Sequence, residues 1–433
     1  MKNVILMYLF FIFTNLYAQE VVVQCGKLFD SKNAKFLEGR TIYITNGKIS
    51  KISSQIDDLN ASKNEKTQII DLKNSYCMPG FIDLHVHLGK ESNPNSYGER
   101  TGQDNADSAY LSIGYAKKTL LAGFTTVRDL GSGIATNLRN AIKNKTIEGP
   151  RVYAAGGIGT TGGHMDPTNG MNSQLTELVR PTLGKRLISG VDEGREAVRL
   201  NYKNSFDLIK IATTGGVLSV AKSGDCPQLT LEEIKSIVDT AKDYEMYVAA
   251  HAHGKEGMKR AILAGVKSIE HGTYMDDEIF SLMKKYKTWF VPTISAGKFV
   301  AEKGKIEGYY PKVVQKKALI LGPLLQDTFS KAYKANVPIA FGTDSGVSYH
   351  GDNAQEFVFM VEAGMNPLEA IQTATLNAAM AIAPGVENEI GQIKENFYAD
   401  IVAVKEDPSK NISVLKNISF VMKEGIVYKN VQL

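Results

Sequence analysis

The chain has 433 residues, 43% of them hydrophobic, with 50 basic against 46 acidic side chains and a net charge of +4. That length and apolar content suffice for a large core, as two domains or as one barrel with an attachment. The near-balance of charge gives no footing for a nucleic-acid partner, and Cys25, Cys77 and Cys226 form neither a zinc spacing nor a disulfide framework, which leaves room for one disulfide without pointing to it.

Residues 1–18 read as a targeting segment. Lys2 precedes the apolar run Val4 to Phe13, and Leu16-Tyr17-Ala18 precedes Gln19. A charged start, a hydrophobic stretch and a small residue at a cleavage point are the parts of a secretory signal peptide. The run is too short to span a bilayer comfortably. The expectation is a mature protein that starts at Gln19 and works in the periplasm or outside the cell. No other segment is apolar enough for stable membrane insertion.

Residues 20–79 alternate short apolar runs with turns. Val21 to Val23 and Arg40 to Thr45 read as strands, Asn46-Gly47 as a two-residue hairpin turn, and Lys48 to Ile52 and Gln68 to Leu72 as further strands. Pro79-Gly80 breaks this texture. From there to about residue 385, short strands alternate with longer helical stretches. The strands are residues 80–87, 125–129, 151–155, 206–212, 246–251, 266–271, 288–294 and 337–343. Eight strands with helical crossovers predict a (β/α)8 TIM barrel over 80–385, closed by a helix from Pro367 to Met380. After residue 386 the strand-and-turn texture returns at 400–404, 418–422 and 426–429, with a turn at Glu424-Gly425. The two ends share one style, which predicts a small β-sandwich domain built from 19–79 plus 386–433.

Active sites of such barrels lie at the C-terminal ends of the strands. There the first strand offers His85 and His87, two positions apart and so on one side. The fourth carries Lys210 inside the apolar frame Leu208, Ile209 and Ile211. The fifth ends in His251, the sixth in His271, and Asp344 follows the eighth. Four imidazoles, a carboxylate and a lysine around one mouth suit a metal centre. His253, two residues beyond His251, and His164, on the Gly-rich run 156–164, are further candidates for the pocket. That run is no phosphate cradle, because no Lys-Ser or Lys-Thr follows its glycines.

These residues resemble the amidohydrolase superfamily. The motifs are GFIDLHVH (80–87), GFTTVRDLG (123–131), DLIKIATTGG (207–216), AAHAHG (249–254), SIEHG (268–272) and FGTDSG (341–346), and they run through the whole barrel. They look most like the imidazolonepropionase-like branch that includes Xaa-Pro dipeptidases. The resemblance implies two divalent metal ions, zinc by default, since histidine and carboxylate ligands suit it, with manganese or cobalt as alternatives. It implies that His85 and His87 hold one metal, that His251 and His271 hold the other, and that Lys210, carboxylated to a carbamate, bridges them. Asp344 would bind the first metal and move the proton. Spacing alone does not choose between His251 and His253. In the resembling family the ligand lies 20 residues before the strand-six histidine, and 271 − 251 = 20.

The implied activity is hydrolysis of an amide or peptide C–N bond in a small-molecule or dipeptide substrate, of the Xaa-Pro type or an N-acyl amino acid. His253, His164, Tyr274 and Arg100 are the candidates to hold its carboxylate. A cyclic amidase or a mononuclear deaminase is the competing reading. The family's deaminases typically carry a glutamate three residues after the strand-five histidine, where this chain has Gly254. A non-catalytic binding protein would have lost a ligand, and no position of the set is lost. The sequence leaves room for a homo-oligomer.

Overall fold

The computed structural model describes residues 20–59 and 67–431, so the expected signal peptide lies outside it. In chain order the strands are β1 (Val21–Asp30), β2 (Lys35–Thr45), β3 (Lys48–Ser53), β4 (Gln68–Pro79), β5 (Phe81–Val86), β6 (Phe124–Asp129), β7 (Arg151–Thr160), β8 (Leu187–Ile188), β9 (Leu208–Ala212), β10 (Val248–Ala252), β11 (Ser268–His271), β12 (Trp289–Val291), β13 (Ile401–Val404), β14 (Phe420–Lys423) and β15 (Ile426–Asn430). They divide into two sheets, one drawn from both chain ends and one forming a barrel.

The end sheet is mixed and runs β15-β14-β13-β4-β1-β2-β3. Alternation decides its faces: Val21, Val23 and Cys25 of β1 join Ile42, Ile401 and Phe420 in one apolar layer. Residues of the other face, among them Met78, Val402 and Val421, pack into the main barrel core. Both hairpin turns read from the sequence form. Asn46 and Gly47 have φ of 53° and 76°, Glu424 and Gly425 of 51° and 74°, the left-handed pair that matches strand twist. The turns also meet: a methyl group on Gly47 would lie 2.8 Å from the Glu424 carbonyl oxygen.

This sheet also holds a disulfide, which the sequence leaves open. Cys25 of β1 and Cys77 of β4 form it, with Cα atoms 6.0 Å apart and a separation of 52 positions in sequence. Spacing gave no hint of it, because the pairing depends on β1 lying parallel to β4, with a register shift just past Cys25. Cys226 is free and exposed.

The barrel strands run parallel in the order β5-β6-β7-β9-β10-β11-β12, with short β8 on the end of β7. The crossover helices form where apolar spacing and caps agree. The helix Leu231–Asp243 buries Ile234, Ile237 and Ala241 on one face, and Thr230 and Glu233 make a reciprocal capping box at its start.

The eighth barrel position differs from expectation. Residues 338–345 are extended but held by isolated bridges, Phe290 to Ile339 on one side and Val86 to Ser345 on the other. Pro338 has no N–H to give and accepts from the Phe290 amide at 2.8 Å. The closing helix is also interrupted: Pro367–Gln372 and Ala378–Ile382 flank a π-helical turn, Thr373–Asn377. At the start of that turn the Thr373 carbonyl accepts the Phe341 amide at 3.1 Å, and Asn377 donates its side-chain amide to the Ile339 carbonyl at 2.9 Å. The irregular helix thus satisfies the irregular strand. The Gly-rich run departs too, since β7 extends through Gly156, Gly157 and Gly159 rather than ending at Ala155.

The end sheet is fastened to the opening residues of β7, away from the strand C-termini. Arg151 pairs with Asp400 at 2.8 Å and with Glu424 at 2.7 Å, and Lys423 donates to the Gly149 carbonyl at 2.8 Å. The other end of the barrel stays clear for chemistry.

Candidate active site

Six of the chain's seven histidines meet at the C-terminal end of the barrel. His85 lies 5.5 Å, centroid to centroid, from His87 and 5.0 Å from His271; His251 lies 4.7 Å from both His271 and His253, and His164 stacks on His251 at 4.2 Å. Asp344 enters from the closing segment, its Oδ1 3.5 Å from His85 Nε2 and 3.2 Å from His87 Nε2. Lys210 Nζ is 3.4 Å from His85 Nε2. One donor atom from each of His85, His271 and Asp344 falls within 4.8 Å of the others.

The hydrogen bonds behind each ring assign which nitrogen faces the centre. His85 Nδ1 meets Glu270 Oε2 at 2.9 Å, leaving Nε2 inward. His271 Nδ1 meets Thr293 Oγ1 at 2.7 Å, again leaving Nε2. His251 is reversed: its Nε2 donates to the Gly215 carbonyl at 2.8 Å, which leaves Nδ1. His253 Nδ1 is engaged by Thr273 Oγ1 at 2.7 Å.

Sequence reasoning missed the layer beneath. Glu270 is fully buried and pairs with fully buried Arg128 at 2.7 Å. Arg128 also donates to the Leu84 carbonyl and to Ser268, so one guanidinium ties three strands under the site. Asp83 accepts from the His85 and Thr343 amides at 3.0 and 3.1 Å and from the Thr343 hydroxyl at 2.6 Å. It thereby holds the first strand against the closing segment. Glu356 caps the helix Ile294–Lys303 by accepting from the Ile294 and Ser295 amides at 2.8 and 2.7 Å. The available signal was the one that exposed Lys210, a charged residue inside an apolar frame, as in TTVRD and SIEHG.

Backbone strain gathers at the same place. His271, Thr293 and Asp344 have φ of 72°, 51° and 60°, the left-handed region that costs a side-chain-bearing residue of order 1 kcal/mol or more. Adjacent residues of a regular strand point to opposite sides. The turn at His271 lets both Glu270 and His271 reach His85.

Electrostatics prepare the cluster for a cation. Burial pushes the His85 and His253 imidazoles down to about 4 and those of His164, His251 and His271 well below their usual range, so the rings are neutral lone-pair donors. Burial also lowers Lys210, to about 8, against the pull of Glu270 and Asp344. It raises the Asp344 carboxyl, but His85, His87 and Lys210 outweigh it and hold the group well below its ordinary value. Asp344 Oδ1 is buried without a hydrogen-bond donor, although two imidazole nitrogens stand close by. An orphaned anionic oxygen among inward-facing neutral nitrogens is a donor set that fits a divalent metal.

The other candidates separate. His164 and His253 are inside the cluster. Tyr274 donates its amide to the His253 carbonyl but is 37% exposed, which places it on the rim. Arg100 lies in the helix Ser96–Gly102, and its side chain is outside the described residues. His350 stands apart, stacked on Tyr115 at 4.7 Å with Nε2 on the Lys90 carbonyl at 2.9 Å.

A parallel barrel carrying this cluster at its strand ends is the architecture of a metal-assisted hydrolase. The amidohydrolase family profile matches residues 76–429, and the chain belongs to that family. It is a hydrolase of carbon–nitrogen bonds. Among solved structures, it is similar to a Xaa-Pro dipeptidase with methionine bound in its active site, 45% identical, with a TM-score of 0.89 over 95% of this chain and 100% of that one. A prolidase complexed with N-methylphosphonate-L-proline is 28% identical, with a TM-score of 0.85 over 95% and 100%. Ochratoxinase of Aspergillus niger is 35% identical over 81% of this chain and 75% of its own length.

Proposed function

We propose that the protein is an exported binuclear metallohydrolase that cleaves a dipeptide, of the Xaa-Pro type, or an N-acyl amino acid. The observation that carries this reading is the cluster of five neutral imidazoles and one orphaned carboxylate oxygen around Lys210. His85, His87 and Asp344 would hold one divalent metal, zinc by default, and His251 and His271 the other. Lys210, its amine made available by burial, would add to carbon dioxide with loss of a proton, and the carbamate would bridge the pair.

Bound metals would supply an activated hydroxide at neutral pH and polarise the substrate carbonyl. The chain's own residues do the rest. Asp344 accepts the proton of the attacking water at a carboxylate oxygen and returns it to the leaving nitrogen. Glu270, braced by Arg128, keeps His85 Nε2 turned inward. Thr293 does the same for His271, and the Gly215 carbonyl for His251 Nδ1. His253 and His164 line the space left for substrate. The named activities of the dipeptidase, prolidase and ochratoxinase relatives support a substrate that ends in a carboxylate. The signal-like amino terminus and the Cys25–Cys77 disulfide, a bond that persists in oxidising compartments, support export.

Elemental analysis of protein purified without chelator, with a panel of dipeptides and N-acyl amino acids, tests the proposal. Two metal equivalents and cleavage of at least one panel member are expected. A reproducible single equivalent in active protein refutes the binuclear scheme.

A further inference from the structure

The Gly-rich run of β7 turns two of its glycines toward the barrel interior. Gly157 pairs in register with Lys210 of β9, and residues paired across parallel strands project to the same side. Lys210 reaches His85 across the barrel, so Gly157, and Gly159 two positions on, also face inward. Gly156 faces the other way, against Asn201 of the helix Val191–Lys203. Glycine inside a strand weakens it and marks a place where something else comes close. Here the two inward glycines leave a hollow beside the stem of Lys210, at the mouth end of the strand.

Met165 fills that hollow. A methyl group on Gly157 would lie 2.7 Å from its Cε, and one on Gly159 would lie 2.8 Å from its Cβ. Met165 follows His164, whose ring stacks on His251, so the thioether enters the barrel beside the imidazole cluster. The backbone around it is pinned. The His164 amide donates to Gln228 Oε1 at 2.8 Å, and Asp166 accepts from the Gly162 and Thr168 amides at 2.7 and 2.9 Å. The side chain is half-buried, unbranched, and of the most adaptable apolar type. A valine at 157 would fill the same space with a fixed shape and a better strand propensity. Filling it from a loop makes the filling movable, which packing alone does not require. The cluster alongside is polar, and the thioether gives its mouth an apolar, yielding wall. Strand glycines and a thioether offer a carboxylate no donor, so this wall suits the acyl half of a substrate and not its carboxylate-bearing leaving residue.

We propose that Met165, lying over the hollow left by Gly157 and Gly159, is a specificity-determining residue that receives the apolar side chain of the substrate's acyl half and sets the size accepted there. This rests on the amide-hydrolase reading above and deepens it. The test uses the metal-loaded enzyme and pairs of dipeptides, or of N-acyl amino acids, that share the leaving residue cleaved best. The pairs differ in the acyl half: alanyl against phenylalanyl, acetyl against phenylacetyl. The readout is the large-to-small ratio of kcat/KM, in which metal content and active fraction cancel. Met165→Ala opens the hollow and should raise that ratio by about tenfold or more, the scale of a methylene or two gained in a pocket. Met165→Phe should lower it. Gly157→Ala should lower it too, because its methyl group pushes the thioether into the mouth, and the Gly157→Ala, Met165→Ala double variant should return toward the wild type. If the ratio stays flat across these variants while melting temperature falls, the thioether is packing only, and the proposal fails while the substrate reading stands. If the ratio responds to the size of the leaving residue and not of the acyl half, the assignment is overturned. If the wild type cleaves no dipeptide and no N-acyl amino acid, the substrate reading itself falls and takes this proposal with it.

Discussion

Protonation separates His85 and His253 from free imidazoles, and it gives the metal-free protein a marked pH dependence. Their native values of about 4 lie below the ordinary 6.5. Between those limits the unfolded chain binds protons that the native state refuses, so stability falls as pH drops through 6.5 toward 4. Chelator-stripped protein should therefore melt at steadily lower temperature across that window, each ring contributing on the order of 1.4 kcal/mol per pH unit. Flat melting temperatures would show that the rings are protonated when native. Asp344→Asn keeps the shape of the side chain but cannot carry the proton, and kcat should drop by about 10² or more at unchanged metal content. Near-normal turnover would reduce Asp344 to a structural residue. Lys210→Ala should lose activity and regain part of it with short carboxylic acids. Lys210→Arg should be as damaging, because a guanidinium cannot form the proposed carbamate bridge. These residues were legible because each ends or interrupts an apolar run. Glu270 and Arg128 interrupt such runs too. Their role depends on three strands meeting beneath His85, which no single stretch of sequence displays.

The elements that departed from their sequence reading are those whose backbone is bonded by something other than a regular neighbour. The closing segment 338–345 carries a proline and left-handed Asp344, and it is held by isolated bridges, by single hydrogen bonds to β5 and Thr293, and by a π-turn carbonyl. Periodicity reports apolar faces, and it located this segment correctly; it does not report which amide finds which carbonyl. The cap of Ile294–Lys303 is of the same kind. Glu356 reaches it from 61 and 62 residues away in sequence and satisfies two amides that nothing local can. Removing it by Glu356→Ala leaves both unpaired in the interior and should cost about 2–4 kcal/mol in urea denaturation. Because the helix begins next to Thr293, the partner of His271, the variant should also retain less metal. A loss under about 0.5 kcal/mol would mean that water replaces the carboxylate freely.

On the scale of the whole molecule, the barrel and its attachment divide the labour. The strand C-termini hold the candidate site, and the end sheet is fastened at the start of β7 by Arg151, Asp400 and Glu424. The Cys25–Cys77 bond belongs entirely to the end sheet. A Cys25→Ser, Cys77→Ser double variant should lose about 2–4 kcal/mol of stability while keeping kcat and KM within about twofold, as read by thermal melts and steady-state assays. Loss of activity in a still-folded double variant would tie the bond to the site. The order of this sheet also governs how the polypeptide comes into being. β4 pairs with β13, a strand more than 300 residues downstream, and β13 with β14. As the chain leaves the ribosome, the edge of β4 and its apolar layer must wait for the final stretch of synthesis. An open edge of this sort invites wrong partners in a crowded cytosol. A chain carried across a membrane before it folds would receive both ends of the sheet together, on the far side.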